Sequence, residues 1–317
     1  MKNILITGCA GFIGFHITSK LLKKGYRIYG IDILTKSYDI NLKKLRLKKL
    51  KNKNFYFKKL DISSISKGFK KVKFDLIIHL AAEAGVRSSL SNPYLFIKQN
   101  ITKTVELFEY AKKNKIKKIF YASSSSVYGD KYIFPTPEKI HTNQPISIYG
   151  LTKITCENIA YYYYKIFKIS SIGFRFFTVF GEYGRPDMSM YIFIKAILRN
   201  NKIILNNYGN NFRDYTYIDD LVNYIESCIK KIKFKNYFFN IFNIGGQKNI
   251  RLIDLVKKIE KISNKKARIV LRRKISLDPI SSLATTKKLE NFLQKRFNSN
   301  FEDSLRKTFL WIKNYIE

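Results

Sequence analysis

Residues 7–14 read Thr-Gly-Cys-Ala-Gly-Phe-Ile-Gly, between an apolar β-branched run at 4–7 and a segment with helical periodicity. No other stretch restricts the possible folds as strongly. A glycine turn there lets strand and helix pack closely, and it leaves the first N–H groups of the helix without partners inside the helix. Gly8, Gly11 and Gly14 are expected to give the tight turn, the close backbone approach to a pyrophosphate, and the helix–strand contact. Their spacing is G-x-x-G-x-x-G rather than G-x-G-x-x-G, so the strand-turn-helix context carries the reading. Ile13, Ile17 and Leu21 then recur on one face, and Gly25 marks the stop.

The first half of the chain keeps this rhythm. Strand-like runs at 4–7, 28–33, 55–57, 74–81, 119–122 and 172–179 alternate with helix-like stretches at 12–24, 40–51, 63–71 and 93–113. Alternation of this kind predicts an α/β fold, a Rossmann-like doubly wound parallel sheet with helices on both faces. After about residue 180 the pattern becomes irregular, with helices expected at 188–199, 218–232, 251–263, 285–293 and 301–316 and short strands near 202–206, 239–244 and 268–271. We therefore expect a dinucleotide-binding domain over 1–180 and a smaller α/β substrate lobe over 181–317, with some exchange of chain between them. Asp32 ends the second strand run, where a carboxylate suits ribose hydroxyls and repels a 2′-phosphate. NAD is thus favoured over NADP.

Two other motifs carry chemistry. YASSSSVYG at 121–129 ends a strand in four serines, and the C-terminal ends of strands are where open α/β sheets bind ligands. Tyr149 and Lys153 stand four apart at the start of a helical stretch, which places phenol and ammonium on one face. A free tyrosine ionises near ~10, and a neighbouring cation favours the phenolate that a base requires.

Together, TGxxGxxG, Asp32, the serine strand end and YxxxK resemble the extended short-chain dehydrogenase/reductases, nucleotide-sugar epimerase branch. The resemblance runs over nearly the whole length, through LAAEAGVR at 80–87, YGLTK at 149–153, RFFTVFGEYGRPDM at 175–188 and RDYTYIDD at 213–220. Within that branch the likeness is closest to the UDP-glucuronate 4-epimerases. It implies Tyr149 as base, Lys153 against the nicotinamide ribose and Ser124 on the reacting 4-hydroxyl. It implies an NAD site enclosed by Gly8, Gly11, Phe12, Ile13, Gly14, Asp32, Asp61, Ile62, Leu80, Ala81 and Ala82. Arg213 would take the UDP diphosphate, and Arg87, Ser88, Ser125, Ser126, Thr178 and Arg185 would surround the sugar and its carboxylate. Bidentate arginine suits both anionic groups, and arginines stand out in a lysine-rich chain. The implied reaction is epimerisation at C4 of a UDP-sugar through a transient 4-keto sugar, and a homodimer built from 93–113 and 149–167 is implied with it.

Departures from the branch pattern refine this. Ser125 and Ser126 stand where dehydratases and decarboxylases of the branch carry an acid, which favours epimerisation. Thr178 stands where UDP-glucose 4-epimerases have Asn, which favours the uronate over UDP-glucose or an N-acetylated hexosamine. Glu83 replaces a commoner Gln, an unexpected negative charge beside an anionic sugar. Asp278 is read as the remnant of a Gly-Asp element near the uridine.

The charge supplies the rival reading. Lys and Arg number 60 against 23 Asp and Glu, a net +37. A basic protein that kept the fold to bind nucleic acid would show such a balance. The lysines are spread along the whole chain with abundant Asn, Ile, Tyr and Phe, as compositional bias produces, so no specific nucleic-acid partner is expected. Lysine-rich KKLRLKKLK reads as a solvated helix face with leucines beneath. Three scattered cysteines and three histidines form neither a disulfide framework nor a metal site. With no long apolar run and no leader pattern, the expectation is a cytoplasmic enzyme without membrane attachment.

Overall fold

The computed structural model describes residues 2–130, 133–140, 142, 144–232, 237–273 and 279–317. Its strands are β1 (Asn3–Thr7), β2 (Arg27–Asp32), β3 (Phe55–Lys59), β4 (Leu76–His79), β5 (Lys118–Ser124), β6 (Ser170–Phe176), β7 (Thr178–Phe180), β8 (Lys202–Leu205), β9 (Phe212–Tyr217), β10 (Phe239–Ile244), β11 (Asn249–Arg251) and β12 (Arg268–Leu271). Seven of them form a parallel sheet in the order β10-β6-β5-β4-β1-β2-β3. From β1 the chain steps outward through β2 and β3, then returns to β4 on the other side of β1. The loops leaving β1 and β4 part at that reversal and open a crevice at the strand ends.

Side chains of β1 explain why both faces need covering. Ile4 and Ile6 enter one core and Leu5 the other, as the two-residue period of a strand requires. Helices Phe12–Lys23 and Ile218–Ile232 pack together over the first face, adding Ile17, Leu21, Leu221 and Ile225. Helices Lys103–Lys113 and Ile148–Phe167 cover the second with Leu107, Phe108, Ala160 and Tyr163. Each such leucine, isoleucine or phenylalanine taken out of water contributes about 1.5–3 kcal/mol before conformational entropy is subtracted. Strand β10 and the Ile218–Ile232 helix, both late in the chain, thus belong to the large sheet layer. The remaining strands form a three-stranded sheet β11-β9-β7 and a two-stranded sheet β12-β8.

Three expectations are corrected. The run 172–179 is two strands: β6 ends at Phe176, Phe177 donates its N–H to Ile244 O at 3.0 Å, and β7 pairs in another sheet. A fully buried apolar run gives no periodicity from which the change of sheet could be read. The stretch 63–71 supplies only short turns at Ile62–Ser64 and Ile65–Gly68. The stretch 93–113 is not one α-helix, because Ile97–Thr102 is wound as a π-helix. Asn100 is the buried residue of that segment.

Candidate active site

At the crevice, Gly8 has φ +71°, and a Cβ on it would lie 2.7 Å from the backbone nitrogen of Ala81. Glycine is therefore what allows the first residues of the loops leaving β1 and β4 to pass in contact before the loops part. A Cβ at Gly14 would collide with the carbonyl oxygen of Gly8, so the third glycine is what lets the helix sit on the turn. Gly11 bonds back to Gly8 O at 2.9 Å, and the helix that follows has no side-chain cap and no acid in its first turn. Its N–H groups and positive dipole end thus form an anion seat.

Asp32 closes the far side. It is 8% exposed, and its carboxylate accepts from Ala10 N at 3.2 Å and Leu34 N at 2.7 Å, fixed between the glycine turn and the next loop. Phe12 and Ile62 are buried, while Ile13, Leu80, Ala81 and Ala82 are half-buried. Asp61 caps Ser63 N at 3.0 Å and pairs with Lys103 at 2.7 Å. Burial opposes its charge, but Lys103 and Ser63 outweigh burial and hold the carboxyl below its ordinary range. A cradle that a Cβ would fill, an uncapped helix end and a fixed carboxylate at the strand tip fit the expected dinucleotide.

The Tyr149–Lys153 pair stands across the crevice. Ser147 caps the helix by accepting Gly150 N at 3.0 Å. One turn apart as expected, the Lys153 Nζ lies 5.8 Å from the Tyr149 ring centroid and donates to Ala122 O at 3.1 Å. A Cβ on Gly150 would lie 2.5 Å from Ser126 O, so glycine brings the serine turn against the start of this helix. Ser124, at the end of β5, accepts Ser126 N and donates to the Ser126 hydroxyl, both at 3.2 Å. Ser125 and Ser126 line a cavity with Val86, Phe134, Phe177 and Ser282. The four serines do not act as one group, however. Ser123 points the other way and donates to Glu157 at 2.6 Å.

Arg185 extends from the loop after β7 to the loop after β4. It grips Asp187 through Nε at 3.0 Å and Nη2 at 2.6 Å, and it donates to Ala84 O at 3.2 Å. Burial opposes the Arg185 charge, yet Asp187 foremost, then Tyr38 and Tyr149, outweigh it and raise the guanidinium above its usual value. Arg185 and Tyr149 therefore lie within electrostatic reach of each other. Arg87 and Ser88 open the short turn after Gly85, with Ser88 donating to Gly85 O at 3.2 Å. Thr178 begins β7 and is half-buried. Arg213, on β9, donates to Phe212 O and Pro279 O at 2.8 Å each. Asp278 lies outside the described residues. Glu83 turns its carboxylate to the Ser37 hydroxyl at 3.2 Å, on the loop after β2.

Beneath these groups lies a polar framework that the sequence reading missed. Thr7 Oγ1 accepts from Leu80 N and Ala81 N, so its proton goes to His79 Nδ1 at 2.8 Å. His79 Nε2 then faces Thr104 Oγ1 at 3.2 Å. Burial first, then the Lys153 charge, push this imidazole down to about 3, so it is neutral. Asn100 accepts Glu83 N and donates to Glu83 O and to Thr152 Oγ1, and Thr152 donates to Tyr149 O. The β4 exit loop and the Tyr149 helix are thereby held together. On the other side, Glu157 and Arg175 form a buried two-point ion pair beneath the serine turn. The Ile40–Lys49 helix corrects the solvated-face reading, since Lys43 and Arg46 are on its buried side with Leu42. Lysine-rich composition concealed them.

Among the described residues no group of His, Cys, Asp and Glu is placed to hold a metal, and no helix is long and apolar enough to cross a membrane. Comparison with known proteins agrees with this geometry. A sequence profile of the NAD dependent epimerase/dehydratase family matches residues 4–245. An uncharacterised protein of Methanocaldococcus jannaschii is 43% identical, covering 98% of this chain and 96% of its own. A UDP-glucuronate 4-epimerase of Thermodesulfobacterium geofontis is 36% identical, covering 100% and 98%. The crystal structure of UDP-glucuronic acid 4-epimerase from Bacillus cereus, in complex with UDP-glucuronic acid and NAD, superposes with a TM-score of 0.92 at 32% identity over 99% of both chains. The chain belongs to the NAD dependent epimerase/dehydratase family.

Proposed function

We propose that this protein interconverts UDP-glucuronate and UDP-galacturonate by inverting C4 of the sugar, with NAD as its resident cofactor. The observation that carries the reading is Arg185, a fixed guanidinium within electrostatic reach of Tyr149. A sugar whose C4 hydroxyl meets the phenol would have its carboxylate within that cation's field. The relatives from Thermodesulfobacterium geofontis and Bacillus cereus, which bear that activity in their names, support it.

In this reading Gly8, Gly11 and Gly14, with Phe12, Ile13, Asp32, Asp61, Ile62 and Leu80–Ala82, hold the dinucleotide. When bound, NAD supplies an acceptor for the C4 hydride and a donor that returns it. Tyr149 takes the 4-hydroxyl proton and, after the 4-keto sugar has turned over in the site, returns it to the same oxygen. Lys153, held by Ala122 O one helical turn from Tyr149, would meet the nicotinamide ribose. Ser124 orients the hydroxyl, and the hydroxyls of Ser125, Ser126 and Thr178 line the sugar. Having no acid at 125 or 126 removes the proton donor or acceptor that elimination would require. Arg213 faces the diphosphate, and Arg87 and Ser88 close the sugar side. Asp187 keeps Arg185 oriented until the substrate carboxylate competes for it.

The same reading includes a homodimer. Ile97, Val105, Leu151 and Tyr162 leave apolar surface exposed on the adjoining helical stretches 97–113 and 148–167, and analytical ultracentrifugation tests it. A cytoplasmic setting suits the unpaired Cys9, Cys156 and Cys228. The deciding assay incubates the protein with UDP-glucuronate and, separately, UDP-glucose, with and without added NAD, and resolves the sugars by chromatography. UDP-galacturonate from the first substrate alone, lost in Tyr149→Phe, is the expected result. Turnover of UDP-glucose in preference would overturn the uronate assignment.

A further inference from the structure

Arg46 has no exposed surface, although it lies on a helix rich in lysine. Its guanidinium donates to the carbonyls of Ala10 (2.9 Å), Tyr183 (2.6 and 3.1 Å) and Gly184 (3.4 Å), and to the Tyr38 hydroxyl (2.6 Å). These acceptors are all neutral. Burying a cation against neutral acceptors carries a desolvation cost that simple packing does not require.

The carbonyl acceptors belong to two different loops, and Tyr38 to a third, the one after β2. Ala10 is in the glycine turn between β1 and the first helix. Tyr183 and Gly184 immediately precede Arg185. The second loop has further anchors: Glu182 O bonds to a ring nitrogen of His16 at 2.8 Å, the Glu182 carboxylate accepts the Tyr217 hydroxyl at 2.9 Å, and the Tyr183 ring lies 4.7 Å from Trp311. Those contacts hold the outer side of the loop. Arg46 joins its inner side directly to the turn expected to carry the dinucleotide. A guanidinium can do this because its donors form a rigid planar fork, whereas a lysine has one nitrogen and cannot span both loops at once.

We propose that Arg46 is a positioning residue for substrate selection, which fixes the height of Arg185 above the cofactor crevice so that a uronate carboxylate is read at a set distance from the reacting carbon. The proposal rests on Arg185 being the carboxylate's partner. Its specific consequence is a change in how the protein tells UDP-glucuronate from UDP, which lacks the sugar and its carboxylate. A general loss of packing would weaken both ligands together.

The experiment measures dissociation constants for UDP-glucuronate and for UDP by titration calorimetry on the full chain, in the parent, Arg46→Lys and Arg185→Leu. We expect Arg46→Lys to raise the ratio of the two constants about tenfold, with UDP binding within about twofold of the parent. Arg185→Leu should raise the ratio at least as far. A ratio unchanged in folded Arg46→Lys but raised in Arg185→Leu overturns the positioning role alone. A ratio unchanged in Arg185→Leu overturns the role together with the reading beneath it. Should Arg46→Lys not fold, Tyr38→Phe removes only one hydroxyl from the cluster. An increase of about threefold in the ratio is then expected, and an unchanged ratio overturns the proposal.

Discussion

Replacing Glu157 by leucine tests whether the ion pair beneath the serine turn is what holds that turn in place. The Arg175 and Glu157 side chains are 5% and 6% exposed and meet at 2.8 and 2.7 Å, and Glu157 also accepts the Ser123 hydroxyl at 2.6 Å. Leucine fills a similar volume but accepts nothing. Arg175 would keep only Tyr128 Oη at 3.0 Å and Glu138 O at 3.1 Å, a buried cation without its counter-ion. Removing one side of a buried pair costs about 3–5 kcal/mol. With an unfolding entropy of ~2.1 cal/mol/K per residue over 317 residues, that loss lowers the melting temperature by about 4–8 °C. Differential scanning calorimetry of the full chain at neutral pH reads it directly. A fall smaller than about 2 °C would refute the reasoning, because it would mean the guanidinium is already paired elsewhere or hydrated. Adding Arg175→Met removes the stranded charge and should restore more than half of the loss, since an apolar replacement of the whole pair is often neutral. Activity should recover in parallel, as Ser123 and Ser124 are neighbours on β5.

The histidines set an acid limit. His79 is pushed down to about 3, by burial and then by Lys153, and His16 to about 4, chiefly by burial, from an ordinary 6.5. Both stay neutral in the fold while the unfolded chain takes up protons, so the stability they contribute is present above pH 6.5 and lost as pH falls. Each accounts for about 2 kcal/mol lost by pH 5. Urea midpoints across that range check the loss, and His79→Gln should flatten the slope. Gly8→Ala places a side chain at φ +71° and a Cβ 2.7 Å from Ala81 N, so NAD affinity measured by calorimetry should fall at least about tenfold in a chain that still folds. Equal affinity would show that the turn has another way to relax. Asn100→Ala removes the bonds to Glu83 and Thr152 and should cost about 1–3 kcal/mol in urea unfolding, with faster hydrogen exchange at the Glu83 amide. An unchanged exchange rate would count against the link between the β4 exit loop and the Tyr149 helix.

Legibility in the sequence followed the range of the interactions. The glycine turn, Asp32 and the Tyr149–Lys153 pair were readable because each depends on local geometry, a strand running into a turn or two residues one helical turn apart. The sheet followed from its alternating rhythm, which fails where burial is continuous, as at Phe177 between β6 and β7, and does not foretell that β10 joins from late in the chain. The supporting framework was not readable. His79 meets Thr7 across 72 residues and Asn100 meets Thr152 across 52, and polar residues of these types have no spacing that announces such a contact. Arg46 was concealed by its neighbours, since a lysine-rich helix reads as a wet surface unless one knows that Ala10 and Tyr183 wait above it. Glu83 shows the reverse case. Its charge looks misplaced beside an anionic sugar, and only the fold reveals the Ser37 hydroxyl that receives it.

The central claim is that C4 is inverted when its own hydrogen leaves as hydride to bound NAD and returns to the other face, while Tyr149, with Lys153 and Ser124, handles the hydroxyl proton. Supplying UDP-glucuronate deuterated at C4, in ordinary water with the intact enzyme, and following the product by NMR and mass spectrometry tests it most directly. The account predicts UDP-galacturonate that keeps its deuterium at C4. Deuterium lost to solvent, or a product altered anywhere but C4, would contradict it.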